Sequence, residues 1–546
     1  MNVVAAVFAD FEQTFLGQPS RLEASLAGEP VLRHTLKRLA RVRGVERICV
    51  VVTEAQLATG QALAAGLSAS IPIEVLPLDH GQRPRRGLFR CARKWNLAAW
   101  RSGLLGATWF DEYVEPLVVG RVLDHYQAAA ALCIEGHQAV VDPALCSAML
   151  EHLAAHRDET DWVFTQAPPG LAGLVLGRQT TRKLLEDTLP VGWRLSYHPE
   201  LARLDPITKP PCCRVEPEIV ARPVRWLADT ASGLARLERA LQRLGPQADA
   251  AALSRWAAQD ALDRPDPLPA EVELELTTDY PLPGTTLRPR RHVPRRRLED
   301  FDALQRLAAE LGRADLRTVV LAGHGDPLAH PRFGEACRLL REAGVLGLAV
   351  ESPLVELSDR QIDALVAAQV DVVEVRLDAA SRETYRRVHG ADKYEQVLAN
   401  LERLEAARQQ RSSPPPLVVC SLTRCAATFD ELEEFYDGWI RRRMTAVLRG
   451  YNDYCGRLPA DTLLATTPLV REPCRRLARC AVLLADGRAV LCSQDVRGEM
   501  VIGDWFAQPL AEIWRSDELA AARAAQQGLT FDNFPLCAAC DQWHRP

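Results

Sequence analysis

Four cysteines in the last part of the chain have the spacing of a metal site. Cys474 and Cys492 bracket Gly487, with twelve residues before that glycine and four after it, and Cys537 and Cys540 follow as a CxxC pair. Two separated cysteine pairs can converge on one tetrahedral thiolate site, as zinc or iron–sulfur ligation requires. A turn at Gly487 would form a hairpin that returns Cys492 towards Cys474. The pattern predicts a metal site, with a zinc ribbon or unrelated free thiols as the alternatives.

Composition indicates the cellular compartment of such a site and excludes some classes of partner. The 546-residue chain has 15 cysteines, an odd number, and residues 1–10 read as a strand without a basic n-region. We therefore expect a cytoplasmic protein without disulfides, whose clustered cysteines bind metal. Apolar runs fall short of the roughly 20 residues that span a membrane, so no membrane association is expected. A net charge of −5 gives no reason to expect a nucleic acid partner.

The first half of the chain alternates strand and helix patterns, which favours a mostly parallel sheet with covered faces. A further helix is predicted over Ser232–Leu244, and three prolines in Asp263–Pro269 predict a domain boundary. The predicted strands are Asn2–Ala9, Ile48–Thr53, Ala131–Ile134 and Trp162–Gln166, and the predicted helices are Pro30–Val42 and Pro143–His156.

A second alternating series follows the proline-rich segment. Six strands with intervening helices fit a partial parallel barrel, in which chemistry occurs at the carboxyl ends of the strands. The predicted strands are 271–276, Thr318–Leu321, Gly347–Val350, Val372–Leu377, Leu417–Leu422 and Ala446–Leu448, and the predicted helices are 299–311, 333–343, 358–368, 393–408 and 429–441.

The cysteine-rich region resembles a SPASM domain, the auxiliary iron–sulfur module of many radical SAM enzymes. The resemblance lies in Pro473-Cys474, Leu484-Ala-Asp-Gly487, Val490-Leu-Cys492 and Cys537-Ala-Ala-Cys540. It implies one auxiliary [4Fe-4S] cluster, because the further cysteines of a second cluster do not follow. The implied ligands are Cys474, Cys492, Cys537 and Cys540. By the same alignment Cys455 and Cys480 are spare thiols, which we expect to be packed rather than ligating.

Two barrel segments resemble the same family. Leu321-Ala-Gly323-His-Gly325-Asp-Pro327 is similar to the Gly-Gly-Glu-Pro loop that holds the amino acid end of S-adenosylmethionine, and Val373-Glu-Val-Arg376-Leu-Asp378 is similar to the strand-four Ser-Leu-Asp segment. Taken without the family, the first pattern is also that of a tight strand-to-helix turn. The residues implied to bind S-adenosylmethionine are Gly323, Gly325, Asp326, Pro327 and Asp378.

The cluster that would activate S-adenosylmethionine lacks its cysteines. The family's CxxxCxxC positions are occupied by Tyr280, Gly284 and Leu287, and no cysteine lies between Cys213 and Cys337. Because none of these side chains is a thiolate ligand, we expect no reductive cleavage, and at most weak binding of S-adenosylmethionine. The next ten residues, 288–297, carry six arginines, which predict either a solvated loop or an anion-binding rim over this site.

Residues 1–190 resemble the nucleotidyltransferase and glycosyltransferase-A fold in Leu26–Pro30 and Glu135–Pro143. The first loop of that superfamily is glycine-rich and basic, but Phe8–Gly17 has one glycine, two carboxylates and no lysine. These carboxylates, Asp10 and Glu12, would repel a triphosphate, so nucleotidyl transfer is not expected.

An alternative use of this first domain remains open. Glu135, His137 or Asp142 could bind a divalent ion at the position where the superfamily binds its metal. The adjacent pair Cys212 and Cys213 lies outside these motifs and is expected to be buried.

The complete architecture most resembles the spiro-SPASM family, including the segment Tyr451–Pro459. We predict four parts: a nucleotidyltransferase-like domain (1–230), a helical and proline-rich linker (231–269), a radical SAM-like barrel (270–450) and a SPASM domain (451–546). The predicted function is that of an iron–sulfur protein acting as a binding or electron-transfer partner, for a peptide or another protein. The alternatives are an active radical SAM enzyme with unusual ligands, and a nucleotidyl or sugar transferase.

Overall fold

The computed structural model describes residues 1–67, 69–78, 86–187, 190–200, 206–263, 266–410, 415–463 and 466–545. The chain divides into two compact units, Met1–Pro265 and Asp266–Pro546. This division falls within the predicted proline-rich boundary, of which residues 264–265 lie outside the described residues. The finer four-part division stays a prediction.

The first unit is an α/β domain. Its strands are β1 (Val3–Phe8), β2 (Ser25–Leu26), β3 (Glu29–Pro30), β4 (Arg47–Val52), β5 (Ile73–Pro77), β6 (Ala130–Glu135), β7 (Trp162–Val163) and β8 (Leu174–Gly177). Its α-helices are α1 (Val31–Leu39), α2 (Leu57–Ala64), α3 (Arg86–Arg93), α4 (Pro116–His125), α5 (Pro143–Ala155), α6 (Arg178–Asp187), α7 (Pro217–Val220), α8 (Ala231–Leu244) and α9 (Ala250–Asp263).

The central sheet of this unit has the order β5-β4-β1-β6-β8-β7. The four strands from β5 to β6 are parallel, and β8 is antiparallel to β6. Alternate residues of β1 belong to two different apolar clusters, Val3, Ala5 and Val7 to one and Val4 and Ala6 to the other. The strand is thus covered on both faces, which is why it consists of one apolar run.

The predicted parallel sheet is confirmed, but two of its strands escaped prediction. β5 and β8 each contain only a few residues. Such short apolar segments have no periodicity that distinguishes a strand from a turn of buried helix. The predicted strand at Trp162 is also shorter than expected, since regular pairing ends at Val163.

The second unit begins with the barrel and continues into the cysteine-rich region. Its strands are β9 (Glu271–Glu275), β10 (Thr318–Ala322), β11 (Gly347–Ser352), β12 (Val372–Arg376), β13 (Leu417–Arg424), β14 (Thr445–Gly450), β15 (Cys480–Leu483), β16 (Arg488–Val490) and β17 (Val501–Asp504). Its α-helices are α10 (Phe301–Arg313), α11 (Phe333–Glu342), α12 (Asp359–Ala367), α13 (Arg382–His389), α14 (Tyr394–Gln410), α15 (Leu432–Arg441), α16 (Arg476–Arg479), α17 (Leu510–Ile513), α18 (Asp517–Gly528) and α19 (Pro535–Ala539).

One continuous sheet joins the barrel to the cysteine-rich region. Strands β14 to β9 run in reverse sequence order and are all parallel, as a partial (β/α)6 barrel requires. Strand β15 then pairs in parallel with β9, and β16 and β17 follow antiparallel. The carboxyl end of β9 therefore lies beside the hairpin that precedes Cys492.

Among the described residues, the helices are too short or too polar to cross a bilayer.

Candidate iron–sulfur site and barrel edge

The predicted hairpin before Cys492 is present. β15 and β16 pair antiparallel, and the turn between them closes through a hydrogen bond from the Gly487 amide to the Leu484 carbonyl. Gly487 has a φ of +92°, and a Cβ there would lie 2.8 Å from the Phe506 ring. Glycine is required at this position because both the backbone conformation and the space exclude a side chain.

The four cysteines of the predicted site approach one another from three segments. Cys474 precedes α16, Cys492 follows β16, and Cys537 and Cys540 lie in and just after α19. The side chain of Gln526 on α18 accepts a hydrogen bond from the Cys474 amide at 3.2 Å and also hydrogen-bonds the Cys537 thiol. This glutamine ties the first cysteine of the set to the third.

A fifth cysteine, Cys455, lies beside this group. The thiol of Cys455 hydrogen-bonds that of Cys540, and its Sγ lies 3.5 Å from the Leu536 carbonyl oxygen. Tyr454 and Cys455 both have positive φ, 53° and 54°, and Gly456 continues this left-handed turn at 82°. That Cys455 does not ligate stays a prediction, whereas Cys480 is buried on β15 as expected.

Burial keeps the thiols of Cys492 and Cys537 protonated, and a protonated thiol is a poor metal ligand. Burial raises the pKa of Cys492 to about 12 and that of Cys537 to about 11. The hydrogen bond from Cys455 instead lowers the pKa of Cys540 to about 7. A bound metal centre would stabilise the thiolates and release their protons, so binding would be coupled to folding of this region.

Within the described ranges, no three His, Cys, Asp or Glu side chains stand close enough to hold one metal ion. A zinc ion binds its thiolates at about 2.3 Å, whereas a cubane cluster separates its thiolates by four irons and four sulfides.

The three positions at which the resemblance predicts cluster cysteines, 280, 284 and 287, lie beyond the carboxyl end of β9. Leu287 is buried in a small apolar cluster with Val388 and Tyr451. Gly284 packs near the Gly390 backbone, and a Cβ on Gly284 would lie 3.5 Å from the Gly390 Cα. Tyr280 is partly buried beneath the guanidinium of Arg288, whose Cζ lies 4.9 Å from the ring centroid.

The loop that resembles an S-adenosylmethionine site is packed tightly against β9. Gly323 has a φ of +102°, and a Cβ on Gly325 would lie 2.1 Å from the Thr277 carbonyl oxygen. Both glycines are thus explained by the strand-to-helix turn, without reference to a ligand. Asp326 caps the 3-10 turn Pro327–Ala329 through the Leu328 amide at 3.1 Å. Burial raises the pKa of Asp326 to about 7, although hydrogen bonds to its carboxylate oppose this.

The backbone carbonyls of this loop already have partners. Arg288 Nη1 donates to the Gly323 carbonyl at 2.7 Å, and Arg290 Nη1 donates to the His324 carbonyl. Arg290 Nη2 also donates to the Thr278 carbonyl at 2.8 Å. The arginine-rich segment thus covers the edge formed by β9 and β10.

Asp378 is hydrogen-bonded to the neighbouring strand β13. Its Oδ1 accepts from the Thr423 amide at 2.7 Å, and its own amide donates to the Ser421 carbonyl. Its φ is +54°. Two positions earlier, Arg376 forms an ion pair with Glu351 at 3.3 Å. Arg376 is thus a cation that pairs within the barrel.

The candidate metal-binding residues of the first unit are used internally. His137 Nδ1 lies 2.7 Å from Glu135 Oε1, and Glu135 Oε2 accepts from the His137 amide at 2.6 Å. His137 Nε2 accepts from the Arg21 amide at 3.2 Å, a contact that no local sequence signal indicated. Asp142 caps α5 and accepts from the Ala250 amide at 2.7 Å. These bonds anchor loops to the sheet edge and to α9.

Comparison with known proteins identifies two domains in the second unit. Residues 284–418 match the Radical SAM superfamily, and residues 474–541 match the SPASM iron–sulfur cluster-binding domain. An uncharacterized protein of Treponema pallidum (strain Nichols) is 29% identical over 294 residues, covering 51% of this chain and 79% of that protein. The GTP 3′,8-cyclase of Chlorobaculum tepidum is 35% identical over 107 residues, covering 20% of this chain and 32% of the cyclase.

Solved structures give weaker likenesses. SuiB of Streptococcus suis bound to S-adenosylmethionine has a TM-score of 0.42 at 11% identity, covering 54% of this chain and 77% of SuiB. A cytidylyltransferase from Leptospira borgpetersenii has a TM-score of 0.33 at 10% identity, covering 48% of this chain and 94% of that enzyme. Neither likeness carries a ligand or a site residue over to this chain. The second unit of this chain therefore contains a radical SAM superfamily domain followed by a SPASM iron–sulfur cluster-binding domain.

Proposed function

We propose that this protein carries one auxiliary [4Fe-4S] cluster on Cys474, Cys492, Cys537 and Cys540, and does not cleave S-adenosylmethionine. In this proposal it serves as a binding or electron-transfer partner for a peptide or another protein. Such a cluster, when bound, exchanges one electron at a time. The chain's own residues hold it, limit its contact with water and set its potential.

The observation that carries this proposal is the chemistry at the carboxyl end of β9. Tyr280, Gly284 and Leu287 offer no thiolate, and Arg288 already donates to the Gly323 carbonyl. That carbonyl belongs to the loop resembling the one that holds the amino acid end of S-adenosylmethionine. If four cysteines saturate the auxiliary cluster, no iron remains open to chelate the cofactor. Binding is thus disfavoured, and cleavage lacks an electron donor.

The cluster is tested by measuring iron and acid-labile sulfide per chain after anaerobic purification. We expect about four of each. Cys537→Ser should lower both and loosen the region that follows β14, because metal binding contributes folding energy to small modules. Cys480→Ala is the matched control, since this cysteine is buried on β15 outside the proposed set. Stoichiometric zinc without iron would contradict the proposal.

The absence of cleavage is tested separately. Reconstituted protein with dithionite and S-adenosylmethionine should give no 5′-deoxyadenosine. Several equivalents per chain, lost on changing Cys474 or Asp326, would instead support an active radical SAM enzyme with unusual ligands.

The first unit is proposed to lack transferase activity. The carboxylate oxygens of Glu135 and Asp142 accept hydrogen bonds from within the fold. The loop that carries Asp10 and Glu12 is acidic. Equilibrium dialysis with magnesium and nucleoside triphosphates should detect no saturable binding. Binding that Glu135→Gln abolishes would favour the transferase alternative.

A further inference from the structure

Two arginines of the segment 288–297 are directed into the barrel edge rather than into solvent. Arg288 is 9% exposed, and Arg290 is partly buried. Their Cζ atoms lie 4.9 and 5.2 Å from the centroid of the same Tyr280 ring. They donate to the adjacent carbonyls of Gly323 and His324, so both guanidinium groups converge on one loop.

Neither guanidinium has a carboxylate partner. Among the described residues, no Asp or Glu oxygen lies within 4 Å of Arg288 or Arg290, although Arg296 and Arg297 in the same segment both have such partners. Within the same ranges, the side-chain hydrogen bonds of the two arginines go to backbone carbonyls. Carbonyls and an aromatic face satisfy the geometry of a guanidinium but do not neutralise its charge.

Among the described residues, no nearby acid forms an ion pair with Arg288 or Arg290, although Glu351 and Asp378 are close enough to attract Arg288. Glu275 is paired with Arg296, and Glu351 with Arg376 and Arg449. The carboxylates that remain have other bonds: Asp279 pairs with Arg297, Asp378 accepts from the Thr423 amide, and Asp326 caps a turn.

The neighbouring titratable groups leave the positive charge in place. Burial, followed by Arg296, Arg288 and Arg290, lowers the pKa of His324 to about 3, so its imidazole is neutral. Burial raises the pKa of Asp326 to about 7, so this acid is only partly ionised at neutral pH. Arg288 and Arg290 thus lie side by side without an ion pair among the described residues, and the Asp378 carboxylate offsets part of their positive charge from a distance.

We propose that Arg288 and Arg290 form a binding site for a phosphate monoester at the carboxyl edge of β9 and β10. This inference rests on the proposed function, because it requires that no cluster occupies the same edge. Two guanidinium groups match a group that carries between one and two negative charges at pH 7, and their planar donor pairs match its oxygens. A monocarboxylate would neutralise only one of them.

The site is tested by isothermal titration of the full-length, cluster-loaded protein with inorganic phosphate. We expect saturable binding that weakens roughly ten-fold or more in Arg288→Met and in Arg290→Met, because each loses charge-assisted hydrogen bonds. Arg297→Met is the matched control: it lies in the same segment, but it is exposed and pairs with Asp279. Its phosphate affinity should stay within about two-fold of wild type, since surface pairs contribute little.

Two further measurements make the result decisive. Arg288→Lys keeps the charge but not the planar donor pair, so it should bind phosphate with intermediate affinity; it also serves if Arg288→Met fails to fold. Titration with acetate should give no comparable binding. The proposal is overturned if the wild-type protein does not bind phosphate or if acetate binds equally well. It is also overturned if Arg288→Met, Arg290→Met and the control Arg297→Met have the same phosphate affinity. Iron content and 5′-deoxyadenosine are measured on the same samples, so failure of this site is distinguishable from failure of the proposed function.

Discussion

The buried ion pair between Glu275 and Arg296 gives the sharpest test of how the second unit is held together. Both side chains are 1% exposed, and Arg296 Nε and Nη2 donate to the two Glu275 oxygens at 2.6 and 3.1 Å. Glu275 also accepts from the His324 amide at 3.2 Å and the Ala485 amide at 3.5 Å. One carboxylate thus joins β9, the loop after β10 and the hairpin before Cys492.

Arg296→Met should destabilise the second unit strongly. It leaves the Glu275 charge buried without its partner, and removing one member of a buried pair costs about 3–5 kcal/mol. At about 2–4 °C per kcal/mol for a large domain, the thermal midpoint should fall by roughly 6–20 °C. Circular dichroism melts of the full chain, with iron measured in parallel, would record this shift.

Two comparisons would refute this reasoning. Arg297→Met removes the adjacent arginine, whose pair with Asp279 is about half exposed, and it should change the midpoint little. The double variant Glu275→Leu/Arg296→Met removes both charges and should recover part of the loss, because no uncompensated charge remains. Equal shifts for the two arginine variants, or a double variant as unstable as the sum of the single ones, would show that charge burial is not the cause.

Three other predictions follow from single contacts. Burial raises the pKa of Asp326 to about 7, above the unfolded value near 3.9. As the pH rises, the unfolded chain therefore releases this proton first, and the contribution of Asp326 to stability falls by about 1.4 kcal/mol per pH unit between roughly pH 4 and 7. Urea unfolding measured across this range should show a smaller dependence of the unfolding free energy on pH in Asp326→Asn. An unchanged dependence would contradict the prediction. Asp142→Ala removes the acceptor of the Ala250 amide as well as a helix cap, and should lower the unfolding free energy of the first unit by about 1–3 kcal/mol, whereas a change within error would show that the cap is dispensable. Cys455→Ala should keep the iron content but make the midpoint potential of the cluster more negative, because it deletes a hydrogen bond to the Cys540 sulfur. A redox titration monitored by EPR measures this potential. A loss of iron would instead identify Cys455 as a ligand.

Much of the fold could be predicted because its signals are local. The apolar run of β1 reflects burial on both faces of a sheet. In β9, Val272 and Leu274 are buried as their spacing predicts, but Glu275 is buried as well, in its pair with Arg296. The hairpin before Cys492 follows from the glycine at position 487, since few other residues adopt that backbone conformation. The residues Tyr280, Gly284 and Leu287 are likewise read from the sequence alone, and the prediction that this edge lacks a cluster depends on them.

The remaining features depend on contacts between residues that are distant in the chain. Cys455 meets Cys540 only because β14 and α19 end close together, and nothing in either local segment indicates this. The arginines after Leu287 have the composition of a solvated loop, yet packing against Tyr280 buries Arg288 and partly buries Arg290, and the pair with Glu275 buries Arg296. Composition shows how polar a segment is. Only the tertiary structure decides which of its charged side chains are buried, and which of the buried ones form an ion pair.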